Sequence, residues 1–312
     1  MNIRLGYVAI SKTLDITSSK TITYTEFKKN NDFNKLNNII IENLTNLEKI
    51  IDYNIKNNIH FYRLTSKLIP LATINEINFD YITPYQEYYQ RIANKIKQKH
   101  IRIDSHPDQF CVLNSTKKEI VESSINILKY HYNILNALNI DNKIIILHIG
   151  SSVLGKDNSI KRFINNFNKL PEYLQECIAL ENDDKIYNIE DCLNLCQKLN
   201  IPMVLDYHHH ICNNDNLDIN EYLKPIFNTW KNNIPKIHFS SPKNNTKKEF
   251  RSHHDYINPN DFINFLEKIK HLNTNLDIML ECKQKDEALF KLTRQLKYHN
   301  YKFIDDTTIE LN

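Results

Sequence analysis

The run KIIILHIG at positions 143–150 carries two readings at once. Residues 144–147 are four successive aliphatic side chains, the pattern of a short strand covered on both faces of a parallel sheet. The run then ends in His148, a metal-competent side chain, followed after one residue by a glycine. The same unit recurs along the chain: IRLGYVA (3–9), HFYRLT (60–65), HIRID (100–104), CIALE (177–181), PMVLD (202–206), KIHF (236–239) and LDIMLE (276–281). Amphipathic stretches separate these runs, most clearly 33–57, 84–99, 117–138, 189–199, 261–271 and 286–299. Eight strands alternating with helices predict an α/β protein, a single (β/α)8 TIM barrel, with a doubly wound open sheet as the competing arrangement. No linker or composition break interrupts the pattern, so 1–312 is read as one domain.

Metal-competent residues fall at the strand ends. His106 lies in SHPDQF after the third run, His148 ends the fourth, Glu181 the fifth, Asp206 the sixth, His238 the seventh and Glu281 the eighth. In a parallel barrel these ends share one face, so residues one βα unit apart in sequence become neighbours there. Three carboxylates packed together are costly without a cation. Imidazole mixed with carboxylate and free of thiolate suits Zn²⁺, Mn²⁺ or Fe²⁺ in an open site rather than a closed structural zinc. Six ligands exceed the need of one ion, so two or three are expected. The spacing Asp206-x-x-His209 adds His209, leaving His208 and His210 to structural roles. Lys236, two residues before His238, faces the same side of its strand. It either pairs with a ligand carboxylate or is an amine of lowered pKa carrying a CO₂ adduct as an oxygen ligand.

Composition sets limits on function. Only 3 of 312 residues are glycine, where average usage of about 7% predicts roughly 22. That excludes glycine-rich nucleotide loops, and the abundance of asparagine, lysine and isoleucine fits codon bias toward A and T. All three glycines, Gly6, Gly150 and Gly155, map to the expected active face. The net charge of +3 is too small to argue nucleic-acid binding, so any such surface must be local. The six cysteines form no CxxC and are expected as reduced thiols. No apolar run is long enough to span a membrane and no signal peptide is read, so a cytoplasmic monomer is expected, serving the nucleoid if prokaryotic.

Taken in order, RLGYV (4–8), YRLTSKLIPLAT (62–73), SHPDQF (105–110), ILHIGS (146–151), LENDDK (180–185), LDYHHH (205–210), PKIHFSSP (235–242), RSHHDY (251–256) and ECKQKD (281–286) resemble the UV damage endonuclease family over nearly the whole chain. The resemblance implies a metal-dependent barrel related to endonuclease IV. It also implies nicking of duplex DNA immediately 5′ to UV photolesions (pyrimidine dimers and 6-4 photoproducts), with other distorting lesions and abasic sites as further substrates. The product keeps a 3′-hydroxyl.

Carried over by motif, a first metal site is His106, His148 and Glu181. Glu181 bridges to a second, completed by Asp206, His238 and Glu281. A third is held by His209 and His253, preferred over His254, with Lys236 nearby. The expected cofactors are two to three divalent ions, Mn²⁺ foremost, with Zn²⁺, Mg²⁺ or Co²⁺ as alternatives; Glu181 and Lys236 are the expected catalytic residues. The resemblance further places Tyr7, Ser11, Gln109 and Phe110 at the lesion; relatives often carry tyrosine at the position of Phe110 and asparagine at that of Ser11. The basic loop 240–254 supplies Lys243, Lys247, Lys248 and Arg251 for the phosphate backbone, with Arg63 and Lys67 adding to the groove. A sugar isomerase on the same fold is the alternative, and the basic loop and probe aromatics argue against its small closed pocket.

Overall fold

In a computed structural model of the chain, which describes residues 1–246 and 249–312, the eight sequence runs become eight parallel strands. They are β1 (Asn2–Val8), β2 (Phe61–Arg63), β3 (Arg102–Asp104), β4 (Ile145–His148), β5 (Ile178–Glu181), β6 (Met203–Asp206), β7 (Lys236–Phe239) and β8 (Leu276–Leu280). Their order is β3-β2-β1-β8-β7-β6-β5-β4. Beyond β3 the wall closes onto β4, where Ser105 N donates to Ile144 O at 3.1 Å and Ile146 N to Ser105 O at 2.9 Å. The chain is therefore a TIM barrel.

Helices wrap the outside: α1 (Tyr24–Asn30), α2 (Phe33–Lys56), α3 (Gln86–Gln98), α4 (Lys118–Ala137), α5 (Lys156–Phe167), α6 (Glu172–Gln175), α7 (Ile189–Leu199), α8 (Tyr207–Cys212), α9 (Ile219–Asn228), α10 (Pro259–Ile269) and α11 (Lys285–Tyr298). In α2 the buried residues Leu36, Ile39, Ile40, Asn43, Leu44, Leu47, Ile50, Ile51 and Asn54 follow helical spacing, so one stripe faces the strands. The outward faces of the strands and these stripes form the main core.

The barrel interior is different. A small apolar plug of Ile144, Ile146, Ala179, Val204 and Trp230 fills part of it. Much of the rest is charged. At the N-terminal end Asp277 accepts from Arg4 at 2.6 and 2.7 Å and from Arg102 at 2.7 Å. Level with Asp277 on the next strand, Lys236 reaches up through Nζ to Asp104, with both side chains fully buried. The ligand layer sits above that.

Two elements lie outside the sequence reading. A hairpin of β9 (Lys302–Phe303) and β10 (Thr308–Glu310) follows α11, and β10 runs antiparallel to β1. Strands of two and three residues are too short to show a period. Residues 207–212 form the short helix α8 because the Asp206 side chain caps it, accepting from His209 N at 2.8 Å.

The glycines divide by reason. Gly6 is mid-strand, not on the active face as expected: a Cβ there would overlap the Phe61 carbonyl oxygen, so its bareness lets β1 and β2 close. Gly150, at φ +108, leaves space that the Asn114 amide fills. Many other left-handed positions are taken by asparagine, including Asn31, Asn58, Asn139, Asn200, Asn273 and Asn300, a side chain that tolerates this region better than most.

Candidate metal centre

Parallel register levels the ligand-bearing strand ends: His148 pairs with Glu181 and Asp206 with His238. Their side chains converge inside the barrel mouth in three overlapping groups: His106–His148–Glu181, Glu181–Asp206–His209 and Asp206–His238–Glu281. In each, one donor atom per residue lies within 4.8 Å of the others. Glu181 joins the first two and Asp206 the last two.

The two oxygens of Glu181 face different partners. Oε2 is 3.0 Å from His106 Nε2 and 3.9 Å from His148 Nε2, whereas Oε1 is 2.8 Å from His238 Nδ1 and 3.5 Å from His209 Nδ1. His238 Nδ1 also lies 3.2 Å from Glu281 Oε1. Asn182, which no motif singles out, fixes this layer. It exchanges hydrogen bonds with the Asp206 backbone at 3.0 and 2.9 Å, and its own carbonyl meets His209 Nδ1 at 3.0 Å.

Electrostatics favour cations here. Burial pushes the Asp206 carboxyl up to about 8, and the neighbouring carboxylates Glu181 and Glu281 add to the effect. Its Oδ2 has no hydrogen-bond partner. Burial lowers His238 to about 4 and also depresses His148, which keeps both rings neutral, as ligation requires. A buried carboxylate with a bare oxygen, two further acids and four imidazoles fit divalent metal ions.

The remaining expected residues fall in several places. His209 joins Glu181 and Asp206, with its ring centre 6.3 Å from that of His253; His253 Nδ1 approaches Glu281 Oε2 only to 3.9 Å. His254 Nδ1 instead accepts from Tyr256 N at 2.9 Å. Lys236 bonds Asp104, not a ligand carboxylate, because it lies one pleat below the ligand layer; burial depresses its amine to about 7 even with Asp104 against it.

Three residues expected at DNA are buried. Tyr7 is fully buried, directed outward from the barrel wall to α2, where its hydroxyl bonds Asn54 Oδ1 at 2.8 Å. Ser11 is buried and donates to Asp286 Oδ2 at 2.8 Å. Arg63 is buried under the ligands: Nη1 is 2.6 Å from Glu281 Oε1 and Nη2 is 2.5 Å from His238 Nε2. In contrast, Gln109 and Phe110 stand exposed after β3, Phe110 at 71%, and Lys67 is exposed after β2.

The basic loop is more neutral than its lysine count implies. Lys243 pairs with Glu249, and Arg251 with Asp184 at 2.7 Å. Lys247 and Lys248 lie outside the described residues.

Residues 3–312 match the model of the family described as UV-endonuclease UvdE. A UV DNA damage endonuclease of Bacillus mycoides (strain KBAB4) is 41% identical over 318 residues, covering 99% of this chain and 100% of the relative. The crystal structure of SacUVDE superposes with a TM-score of 0.87 at 34% identity, over 96% of this chain and 99% of that one. Endonuclease IV from Thermus thermophilus reaches a TM-score of 0.56 at 10% identity, over 95% of this chain and 99% of that one, and so shares the fold.

Proposed function

The chain belongs to the UV-endonuclease UvdE family of enzymes, and from that premise we propose that it nicks duplex DNA immediately 5′ to UV photolesions. The substrates are pyrimidine dimers and 6-4 photoproducts, with other distorting lesions and abasic sites beside them. Water attacks phosphorus, the P–O3′ bond breaks, and the proton lost by water ends on the 3′-oxygen as a 3′-hydroxyl.

The observation that carries this reading is the divided Glu181 carboxylate, with one oxygen toward His106 and the other toward His238. A carboxylate so placed could serve two cations, one on each oxygen. His106 and His148 would complete one position and Asp206, His238 and Glu281 the other, with His209 and His253 beside them for a third. Two or three divalent ions, Mn²⁺ foremost, would supply charge neutralisation at the phosphoryl oxygens and lower the pKa of the attacking water. The chain's own part is to fix those ligands. Asn182 anchors Asp206 and His209, Arg63 holds Glu281 and bonds the His238 ring, and Lys236 with Asp104 supports the layer from beneath.

Gln109 and Phe110 are the groups placed to enter the gap when the damaged bases leave the stack, since an impaired stack makes extrusion cheap. The enzyme acts as a monomer in the cytoplasm on this reading. Among the described residues no helix is long and apolar enough to cross a membrane.

The test is incubation, with Mn²⁺ or Mg²⁺, of duplexes carrying a pyrimidine dimer, an abasic site or neither. Lesion-dependent cleavage on the 5′ side is the expected outcome. Binding without cutting, or neither, overturns the reading.

A further inference from the structure

The loop between β4 and α5 carries, five residues beyond ligand His148, an apolar tip in solvent: Val153 is 53% and Leu154 71% exposed. Leu154 is held at φ +66, which a bulky side chain adopts only at a cost. The turn is not loose. Val153 N donates to Ser151 Oγ at 3.1 Å, and Gly155 N donates to Ser152 O at 2.9 Å. The Val153 carbonyl accepts from Ser159 Oγ at 3.0 Å and from Arg162 Nη2 at 2.5 Å, while the Leu154 carbonyl accepts from Asn158 Nδ2 at 2.9 Å. Every bond holds backbone, and none withdraws the two apolar side chains from water.

The brace also reaches the loop that carries Gln109 and Phe110. The same Arg162 guanidinium donates through Nε to Asn114 O at 2.9 Å. The Asn114 side chain donates to Ser151 O at 2.6 Å and accepts from Ser151 N at 2.9 Å, in the space that Gly150 leaves open. One arginine and one asparagine therefore fasten two active-face loops into a single body, each ending in an exposed apolar tip.

We propose that Val153 and Leu154 form a second apolar wedge that enters the base stack of the lesion-bearing duplex, in concert with Phe110. The inference rests on the proposed function and extends it to residues that reading leaves unassigned. Apolar wedges inserted between base steps unstack and kink DNA, and a distorted site is where unstacking is cheapest. Two wedges on one rigid support would sense a lesion by its deformability at two points. An undamaged duplex would have to be opened at both.

The test uses the metal-loaded protein and two truncating variants, Val153→Ala/Leu154→Ala and Leu154→Gly, with Leu154→Met as the conservative control, assayed for nicking of a dimer-bearing duplex. For the double variant the expected result is a KM raised about ten-fold, the scale of one lost base-stacking contact, with kcat within two-fold and bound metal unchanged. Leu154→Gly separates binding from folding. It relieves the left-handed backbone, so its melting temperature should equal or exceed that of the parent while its KM rises; Leu154→Met should restore the parent KM. A KM within two-fold of the parent in both variants overturns the wedge while leaving the proposed function intact. Absence of lesion-dependent nicking by the parent protein overturns both.

Discussion

Arg63 Nη2 lies 2.5 Å from His238 Nε2, while the other ring nitrogen, Nδ1, faces Glu181. A guanidinium can only donate, so His238 Nε2 accepts and the neutral ring carries its proton on Nδ1, which donates to Glu181 Oε1 at 2.8 Å. Arg63 thereby sets the His238 tautomer, and a cation taking Nδ1 must displace that proton and the guanidinium's hold on Nε2; its second arm holds Glu281 at 2.6 Å.

Arg63→Met should therefore leave Glu281 without its orienting partner. Removing an orienting partner typically costs about 10–100-fold in metal affinity or activity. Metal titration followed by nicking assays at saturating metal should show weakened metal binding with partial rescue. Unchanged metal affinity would refute the orienting role.

Metal uptake should release protons at neutral pH. Burial raises Asp206, and against its own burial the facing acids raise His209, so the pair holds a proton near neutral pH that a cation displaces. Calorimetric titration of the chelator-stripped protein with Mn²⁺ in buffers of different ionisation enthalpy should report that release. Glu181→Ala should abolish nicking and reduce bound metal while the circular dichroism spectrum stays that of a folded barrel.

Gln109 and Phe110 are exposed at the barrel mouth. Replacing both with alanine should leave melting temperature and metal content unchanged and weaken binding to a dimer-bearing duplex by about ten-fold or more, at about 1–3 kcal/mol per lost stacking contact. Unchanged lesion binding would remove this pair from lesion recognition.

Acid stability has a contributor outside the metal layer. His131 on α4 is buried, and that burial lowers its pKa to about 3 from an ordinary value near 6.5. The unfolded chain thus binds a proton that the folded chain refuses between those limits, and stability falls as pH drops through that window. In chelator-stripped protein His131→Leu should flatten the slope of unfolding free energy between pH 6 and 4 relative to the parent, by up to about 1.4 kcal/mol per pH unit. Equal slopes in urea titrations would show that His131 is protonated in the fold.

The strand-end ligands are legible in the sequence because most of them terminate their own aliphatic run and parallel register does the rest: His148 meets Glu181, and Asp206 meets His238. The burial of Tyr7, Ser11 and Arg63 eludes a motif reading because a motif fixes position along the chain, whereas exposure depends on which way the side chain turns. Tyr7 pairs with Leu280 and Tyr62, both packed in the core outside the barrel, while Arg63 pairs with Asp104, which points inward. That distinction needs the pairing as well as the order of strands. Composition overcounts the basic loop for a related reason. Glu249 and Asp184, which neutralise Lys243 and Arg251, take up those partners only when the chain is folded. Arg162 and Asn114 give no sequence signal, since each acts on backbone groups of loops remote from it along the chain.

The glycine scarcity has an informational consequence. Where asparagine serves so many left-handed turns, a glycine no longer signals mere flexibility; it marks a demand that asparagine cannot meet. At Gly6 and Gly150 that demand is volume, since a Cβ would run into the Phe61 carbonyl at the first and the Asn114 amide at the second. At Gly155 nothing crowds the site, but φ 92 with ψ 153 falls in a region open essentially to glycine alone. A rare letter in a skewed alphabet carries more bits, and in chains of similar composition each surviving glycine can be treated as a restraint on backbone geometry, read directly from the letters.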